Sequence, residues 1–192
     1  MTSQAVKFET REEWLHACAD VPRPAFKSAG QPVRDAIRVS CAFPKRARGK
    51  AIGQHWSPEA STDKHHEIFV SPVLDEPMRV ADVLAHELVH THHRNHKRGE
   101  FGKLARALDL EGPLTATTGG EKFRARFGAA VAALGPYPHK AMKMTATGKQ
   151  STRLLKVECA ECGYVARVTR KWIDESGAPL CPEHETAMKV QA

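Results

Sequence analysis

The fold is decided by the stretch Val80-Ala-Asp-Val-Leu-Ala-His-Glu-Leu-Val-His90. Its apolar residues recur at spacings of three and four, which predicts an amphipathic helix extending over residues 76–93. Pro77 falls in the first turn and the acidic Asp75 and Glu76 lie at the start, all favourable positions there. Two histidines four residues apart then share one face of the helix, about 6 Å apart along its axis.

The pattern His86-Glu87-x-x-His90 predicts a catalytic zinc site on this helix. Both imidazoles would bind one tetrahedral zinc ion. Glu87 would lie beside the open metal position and take a proton from the metal-bound water, whose pKa zinc lowers to about 7. This arrangement is typical of zinc metallopeptidases, and the alternative interpretation is a pair of surface histidines.

A catalytic zinc needs a third protein ligand, and several residues remain candidates. In a continued helix, His93 would share the face of His86 but lie about 10 Å from it along the axis, so one ion could not be held by His86, His90 and His93 together. His96 is favoured because the chain must turn after His90, and the pair Arg94-Asn95 suits a turn. His93 stays open as an alternative, and so do three more distant carboxylates: Glu100, Glu111 and Glu121.

The remaining histidines near this motif are assigned structural roles. His92 and His93 are interpreted as solvated residues at the end of the helix, where positive charge suits the helix dipole. His55, His65 and His66 are interpreted as structural residues at strand edges.

A second metal site is predicted near the C-terminus from Cys159-Ala-Glu-Cys162 and Cys181-Pro-Glu-His184, which 18 residues separate. Two such ligand pairs close a tetrahedral zinc, and four protein ligands leave no open position, so this zinc is structural. A tail of this length builds little core, and metal binding supplies folding free energy. The cofactor expectation is therefore two zinc ions per chain, one catalytic and one structural.

Shorter patterns predict the surrounding elements. Helices are expected over 10–20, 99–109 and 121–134, strands over 37–43, 51–56 and 66–71, and a loop over 115–120. A polar linker over 142–152 separates two predicted domains, residues 1–146 and 147–192. The fold class is α+β, with a short antiparallel sheet packed on the histidine-bearing helix.

The formal net charge of +7 lies in the middle of the chain. Residues 91–150 hold eleven Lys or Arg and four Asp or Glu, and the flanking regions are each neutral. A second basic cluster occupies residues 45–50. Such runs are either solvated surface or phosphate contacts, and the predicted nucleic-acid contacts in this region are Arg94, Lys97, Arg98 and Lys103.

The stretch between the two Cys-containing pairs adds a basic, aromatic segment. Residues 164–172 alternate as a strand would, with Arg167, Arg170 and Lys171 as further predicted nucleic-acid contacts. Tyr164 and Trp172 are interpreted as a small core, with base contact as the alternative. Residues 1–13 carry no apolar signal segment and no stretch approaches about 18 apolar residues, so a cytoplasmic protein without membrane contact is expected.

These motifs together resemble the SprT-like zinc metallopeptidases, more closely the short SprT-like proteins of phages and actinobacteria. The resemblance rests on Glu67-Ile-Phe-Val-Ser-Pro72, the motif His86–His90, Phe101-Gly-Lys-Leu-Ala105, Leu110-Glu-Gly-Pro-Leu-Thr-Ala116 and the paired metal ligands with Arg170-Lys-Trp172. It implies a small zincin core of the gluzincin kind followed by a zinc ribbon, and a phage-encoded member would act in the host cytoplasm. The best-known relatives cleave proteins crosslinked to DNA.

One position departs from that family. Relatives carry a histidine four residues before the matched Phe101, where this chain has Lys97 with His96 beside it. The spacing from His86 to His96 equals that of the metzincin peptidases, but this chain has His93 where those peptidases have a central glycine. Both resemblances imply His96 as the third ligand.

The leading hypothesis is a zinc metalloendopeptidase of nucleic-acid-associated or DNA-crosslinked proteins. The rival is a non-catalytic zinc-ribbon protein that binds nucleic acid or acts in transcription and keeps a vestigial peptidase site. Glu87 favours the enzyme, because a structural zinc site does not need it. A third option is a hydrolase of a non-peptide substrate in which Tyr137 and His139 assist an oxyanion, although these two residues more readily shape a turn.

Overall fold

A computed structural model of the chain describes residues 8–45, 51–97, 99–143 and 154–191. The architecture is mixed α+β, and the chain divides into two compact units, residues 1–144 and 145–192. Arg98, residues 46–50 of the second basic cluster and most of the predicted linker lie outside the described residues. Within the described ranges, no helix combines the length and apolar character needed to cross a membrane.

Two helices open the first unit. Helix α1 (Arg11–Asp20) begins with a capping box: Glu13 N–H donates to Thr10 Oγ1 at 3.2 Å, and Thr10 N–H donates to Glu13 Oε2 at 3.1 Å. Trp14 lies on its buried face. A short helix α2 (Arg23–Ser28) follows, with a proline in its first turn. Pro22 is the N-cap of α2, and Pro24 lies in its first turn, where proline is tolerated.

The sheet of this unit has the order β1-β3-β2, formed by β1 (Ile37–Cys41), β2 (Gly53–Trp56) and β3 (His66–Val70). Strand β2 is antiparallel to β3, but β1 is parallel to β3, so the prediction of a purely antiparallel sheet was wrong for one pair. Ile68 and Val70 of β3 are fully buried, and the strand takes the central position, where both its edges are paired. Because β3 lies between β1 and β2, it pairs with both of them, and its pair with β1 is the parallel one.

Helix α3 (Pro77–Val89) lies at the centre of the unit. The Glu76 carboxylate caps it by accepting from the backbone N–H of Met78 at 2.9 Å and of Arg79 at 2.6 Å. Every residue over 80–89 is buried, because α3 packs against the sheet and against helices on its other sides. The helix ends at Val89, four residues earlier than predicted, and the chain turns away beyond His90.

Two more helices and a hairpin complete the first unit. Helix α4 (Glu100–Ala107) and helix α5 (Glu121–Ala133) agree with the sequence pattern. Between them, β4 (Leu110–Glu111) and β5 (Thr118–Gly119) pair as an antiparallel hairpin where a loop was expected. Both of these strands have only two residues, too few for an alternating pattern to indicate them.

The second unit is a three-stranded antiparallel sheet with one helix. Strand β6 (Leu155–Glu158) lies between β7 (Val165–Val168) and β8 (Lys189–Gln191), and helix α6 (Arg170–Ser176) follows β7. Its buried hydrophobic residues are few: Val157, Cys159, Cys181 and Met188.

The predicted strand over 164–172 is correct only for its first half. It ends at Val168, and residues from Arg170 onward are helical. The prediction that Tyr164 and Trp172 form a small core was wrong, since their exposed fractions are 48% and 56%. The change from strand to helix explains the exposure of Trp172, because this residue lies in α6 and does not follow the alternation of β7.

Candidate metal centres

Three histidines converge in the first unit. Helix α3 presents His86 and His90 one turn apart, and His96 returns from the loop after the helix. Nε2 of His96 lies 3.2 Å from Nε2 of His86 and 3.0 Å from Nε2 of His90. This convergence of the two motif histidines with His96 agrees with the expected ligand set.

The donor atoms fit a zinc ion. Three nitrogens bound tetrahedrally at about 2.0–2.1 Å lie about 3.3 Å from one another, close to the observed separations. The other ring nitrogens face acceptors: Nδ1 of His86 lies 2.7 Å from Thr117 Oγ1, and Nδ1 of His90 lies 3.0 Å from the His93 carbonyl. A proton held on Nδ1 leaves the Nε2 lone pair free for a metal.

Burial keeps these imidazoles neutral. It lowers the pKa of His86 to about 3 and that of His90 to about 4, and it lowers the pKa of His96 as well. Charge on neighbouring histidines lowers the pKa of His86 and of His90 further, while the bond from His90 to the His93 carbonyl opposes the shift of His90. The three rings are therefore in the form that binds metal at neutral pH.

Glu87 is buried beside this centre. Its burial raises the pKa of the carboxyl group from the ordinary 4.5 to about 8. Strand β2 approaches this carboxyl closely at Gly53, where an added Cβ would overlap Glu87 Oε1 and lie 2.8 Å from Val83 Cγ1. A glycine within a strand can signal such an approach, and Gly53 is a site residue that sequence analysis missed.

The centre opens into a cleft of about 520 Å³. Its lining includes the three histidines, Glu87 and all four residues of strand β2. The other lining residues are Ala51, Ser57, Arg94, Asn95 and Thr115. A smaller cavity of about 300 Å³ adjoins Glu87 and is lined by Ile52, Val83, Arg79 and neighbouring residues. The histidine centre is thus accessible to a ligand from the cleft.

His55 belongs to this cleft, although it was interpreted as a structural strand-edge residue. Its ring stacks on His90 with centroids 6.1 Å apart and planes 12° from parallel. His55 Nε2 also lies 2.8 Å from His66 Nδ1. Only the approach of β2 to α3 places it here, so the strand pattern alone could not distinguish His55 from His66.

The alternative third ligands lie elsewhere. The Nε2–H of His93 donates to Gln31 Oε1 at 2.6 Å, and His92 is also half-buried, so the two are not the solvated helix-end residues expected. Glu100 pairs with Lys103 at 3.3 Å. None of these residues joins the histidine group found among the described residues, and neither does Glu111 or Glu121.

Tyr137 and His139 are also outside the cleft lining. Tyr137 packs its ring 4.9 Å from that of Trp14. The Nε2–H of His139 donates to the Pro72 carbonyl at 2.8 Å. Both side chains therefore make packing or hydrogen-bond contacts within the fold.

The second unit brings four predicted ligands together. Cys162 Sγ lies 3.7 Å from Cys181 Sγ, and His184 Nδ1 lies 3.9 Å from Cys159 Sγ and 3.6 Å from Cys181 Sγ. A tetrahedral zinc with bonds of about 2.3 Å to sulfur separates two sulfurs by about 3.8 Å, whereas a disulfide requires about 2.05 Å. The four residues thus fit a metal ion and not a disulfide.

Two turns of matching backbone geometry present these ligands. In the first, Gly163 N–H donates to the Cys159 carbonyl at 3.0 Å and Cys159 N–H to the Tyr164 carbonyl at 2.9 Å. The second repeats this pattern from Cys181. The residue four positions after each first cysteine has positive φ, +74° at Gly163 and +52° at Glu185. Although burial opposes it, hydrogen bonds from His184 and the backbone lower the pKa of Cys181 to about 6, favouring the thiolate that binds metal.

The described candidates for nucleic-acid contact are all exposed. In the first unit these are Arg94, Lys97 and Lys103, of which Arg94 lines the cleft. In the second unit they are Arg167, Arg170 and Lys171, and Lys171 Nζ lies 5.1 Å from the centre of the Trp172 ring.

Comparisons with protein-family models, curated proteins and solved structures find no match to this chain. Both centres are therefore defined by their own geometry and by the motifs.

One further contact had no sequence signal. The hairpin brings the hydroxyl of Thr117, 31 residues beyond His86, to the ring of that histidine.

Proposed function

We propose that this protein is a zinc-dependent metalloendopeptidase with a small zincin core of the SprT-like kind and a C-terminal zinc ribbon. The observation that carries the proposal is the convergence of three imidazole nitrogens and a buried carboxyl group on one open cleft. The Cys-rich centre has four protein ligands, as structural zinc sites do, whereas the histidine centre has three and so leaves a position for a substrate.

The chain's own residues have separable roles in this reaction. His86, His90 and His96 would hold the zinc ion, which when bound polarises the scissile carbonyl and acidifies the attacking water. Glu87 accepts the proton of that water and returns it to the leaving amine. A zinc ion beside Glu87 would favour its carboxylate form, which is the form that accepts a proton.

Glu87 favours catalysis over a structural role for the centre. Among the described residues no hydrogen bond or ion pair to its carboxyl group is found, although the side chain is buried. Burial disfavours the charged form of this carboxyl group, which costs stability, and a purely structural metal site does not require the group. A function in the cleft explains why a group that lowers stability is present there.

The substrate is proposed to be a polypeptide. Among the described strands, β2 pairs only with β3, and its residues line the cleft, so its other edge would hydrogen-bond an extended chain. The exposed basic residues of the first unit support substrates that are bound or crosslinked to DNA.

A second function, nucleic-acid binding by the zinc ribbon, is favoured by the exposure of Tyr164 and Trp172. Large aromatic side chains that are half exposed next to basic residues suit stacking on unpaired bases. This binding would deliver the peptidase to its substrates, or act alone if the histidine centre is not catalytic.

The peptidase is tested with the zinc-loaded full chain and a DNA-binding protein as substrate, with no DNA, single-stranded DNA or double-stranded DNA. We expect Glu87→Gln to lose cleavage by about 100-fold or more, since general acid–base groups contribute about 10²–10⁴-fold. Glu100→Gln is the matched control, because it changes an exposed carboxylate of the same unit. Equal proteolysis by wild type and Glu87→Gln, or none by either across several substrates, would contradict the proposal.

Nucleic-acid binding is tested by fluorescence anisotropy with a labelled single-stranded oligonucleotide. Trp172→Ala is expected to weaken binding by about 5- to 150-fold, the equivalent of about 1–3 kcal/mol per stacked base. Leu180→Ala is the control, because Leu180 is an exposed apolar residue of the same unit. Affinity should fall as salt rises, and salt-independent binding would argue against phosphate contacts.

A further inference from the structure

The hairpin after helix α4 brings a threonine hydroxyl to the histidine centre. Thr117 is buried, and its Oγ1 lies 2.7 Å from Nδ1 of His86. Because Nε2 of His86 faces Nε2 of His96, the proton of His86 must be on Nδ1 if Nε2 is to bind a metal. In that state the imidazole donates and the threonine hydroxyl accepts.

The same helix that carries His86 also holds the hairpin in place. The Asp82 carboxylate, one turn before His86, accepts the backbone N–H of Gly119 at 3.0 Å and a guanidinium N–H of Arg79 at 2.6 Å. A Cβ at position 119 would lie 3.0 Å from Cβ of Asp82 and overlap Phe123. The hairpin is thus fixed in place two residues after Thr117.

The two motif histidines differ in how their rings are held. His90 donates to the backbone carbonyl of His93, which every residue type provides. His86 depends on a side-chain hydroxyl, which one substitution removes. The orientation and tautomer of His86 are therefore sensitive to the residue at position 117.

We propose that Thr117 is a positioning residue of the histidine centre, which holds the proton of His86 on Nδ1 and directs its Nε2 lone pair towards the metal. Asp82 supports it by tying the hairpin to helix α3. This inference rests on the proposed zinc site, and it concerns metal affinity and tautomer, not the peptide-bond chemistry.

The test compares Thr117→Val, which removes the hydroxyl at nearly constant volume, with Thr117→Ser, which keeps it. Thr118→Val is the control, because Thr118 is the exposed neighbour on β5. Zinc affinity of the histidine centre is measured by competition with a chelator on the full chain. We expect a loss of about 10- to 100-fold in Thr117→Val and near wild-type affinity in the other two.

A second readout does not need a metal in the histidine centre. The full chain receives one equivalent of zinc, which the thiolate-rich centre binds first, and long-range ¹H–¹⁵N spectra report the His86 tautomer. Wild type and Thr117→Ser should show the Nδ1–H form, and Thr117→Val should shift towards Nε2–H.

The outcomes separate this inference from the proposed function. Unchanged affinity and tautomer in Thr117→Val, or an Nε2–H tautomer of His86 in the wild type, would overturn the role of Thr117. The wild-type spectrum gives this answer even if Thr117→Val does not fold. Tight zinc binding and the expected tautomer without any proteolysis would refute the peptidase and leave the positioning role intact.

Discussion

Replacing Glu87 with glutamine is expected to stabilise the protein at alkaline pH when the histidine centre holds no metal. Burial raises the pKa of Glu87 from 4.5 to about 8, so the folded state keeps this carboxyl protonated where the unfolded state has released the proton. The folded state then binds more protons, and the free energy of unfolding falls as pH rises from about 4.5 through about 8. Glutamine has a similar shape and does not ionise.

The size of the effect follows from the two pKa values. Their full difference corresponds to about 5 kcal/mol, of which about 4 kcal/mol develops between about pH 5 and pH 9. Water entering from the cleft reduces this value, so it is an upper bound. The buried histidines titrate in both proteins, and their contribution cancels when the variant is compared with wild type.

Urea unfolding of the chelator-treated protein, followed by the fluorescence of the buried Trp14, measures the difference. We expect Glu87→Gln to gain stability over wild type as pH rises, and saturating zinc to reduce the gain because a nearby cation favours the carboxylate. A pH-dependent change below about 1 kcal/mol, or one of opposite sign, would refute the reasoning that Glu87 is desolvated.

Three further changes test other contacts. Gly53→Ala should lower peptidase activity by about 10- to 100-fold, because the added Cβ overlaps Glu87 Oε1. Gly128→Ala is its control, since a Cβ there meets nothing within 4 Å. It should leave activity unchanged and raise the free energy of unfolding in urea by about 0.5–1 kcal/mol. Equal activities of the two variants would contradict the close approach of β2. Cys159→Ser should reduce the zinc content from about two ions per chain to about one and remove amide-exchange protection in the second unit; two retained ions would exclude Cys159 as a ligand. Glu185→Gly should stabilise the zinc-loaded second unit by up to about 1 kcal/mol by relieving a φ of +52°, and thermal unfolding at a lower temperature would contradict this.

Much of the local structure could be predicted because it depends on neighbouring residues. The capping box at Thr10, the start of helix α3 and the placement of His86 and His90 on one face follow from the pitch of a helix. The pairing of ligands in the second unit likewise follows from two tight turns with the same spacing.

Other features of the fold escaped prediction for physical reasons. The parallel pairing of β1 with β3 results from the insertion of the most buried strand between two others, which no local pattern records. The exposure of Trp172 depends on where β7 ends and helix α6 begins.

The sequence by itself determined the residue types and local spacings: two histidines one helical turn apart with Glu87 between them, and two pairs of ligands near the C-terminus. Only the tertiary structure decided that His96 approaches His86, that Gly53 lets β2 contact Glu87, and that Thr117 reaches the His86 ring. The reason is that backbone geometry sets distances within about one turn of helix, whereas contacts between distant segments depend on how the sheet, the hairpin and helix α3 pack together.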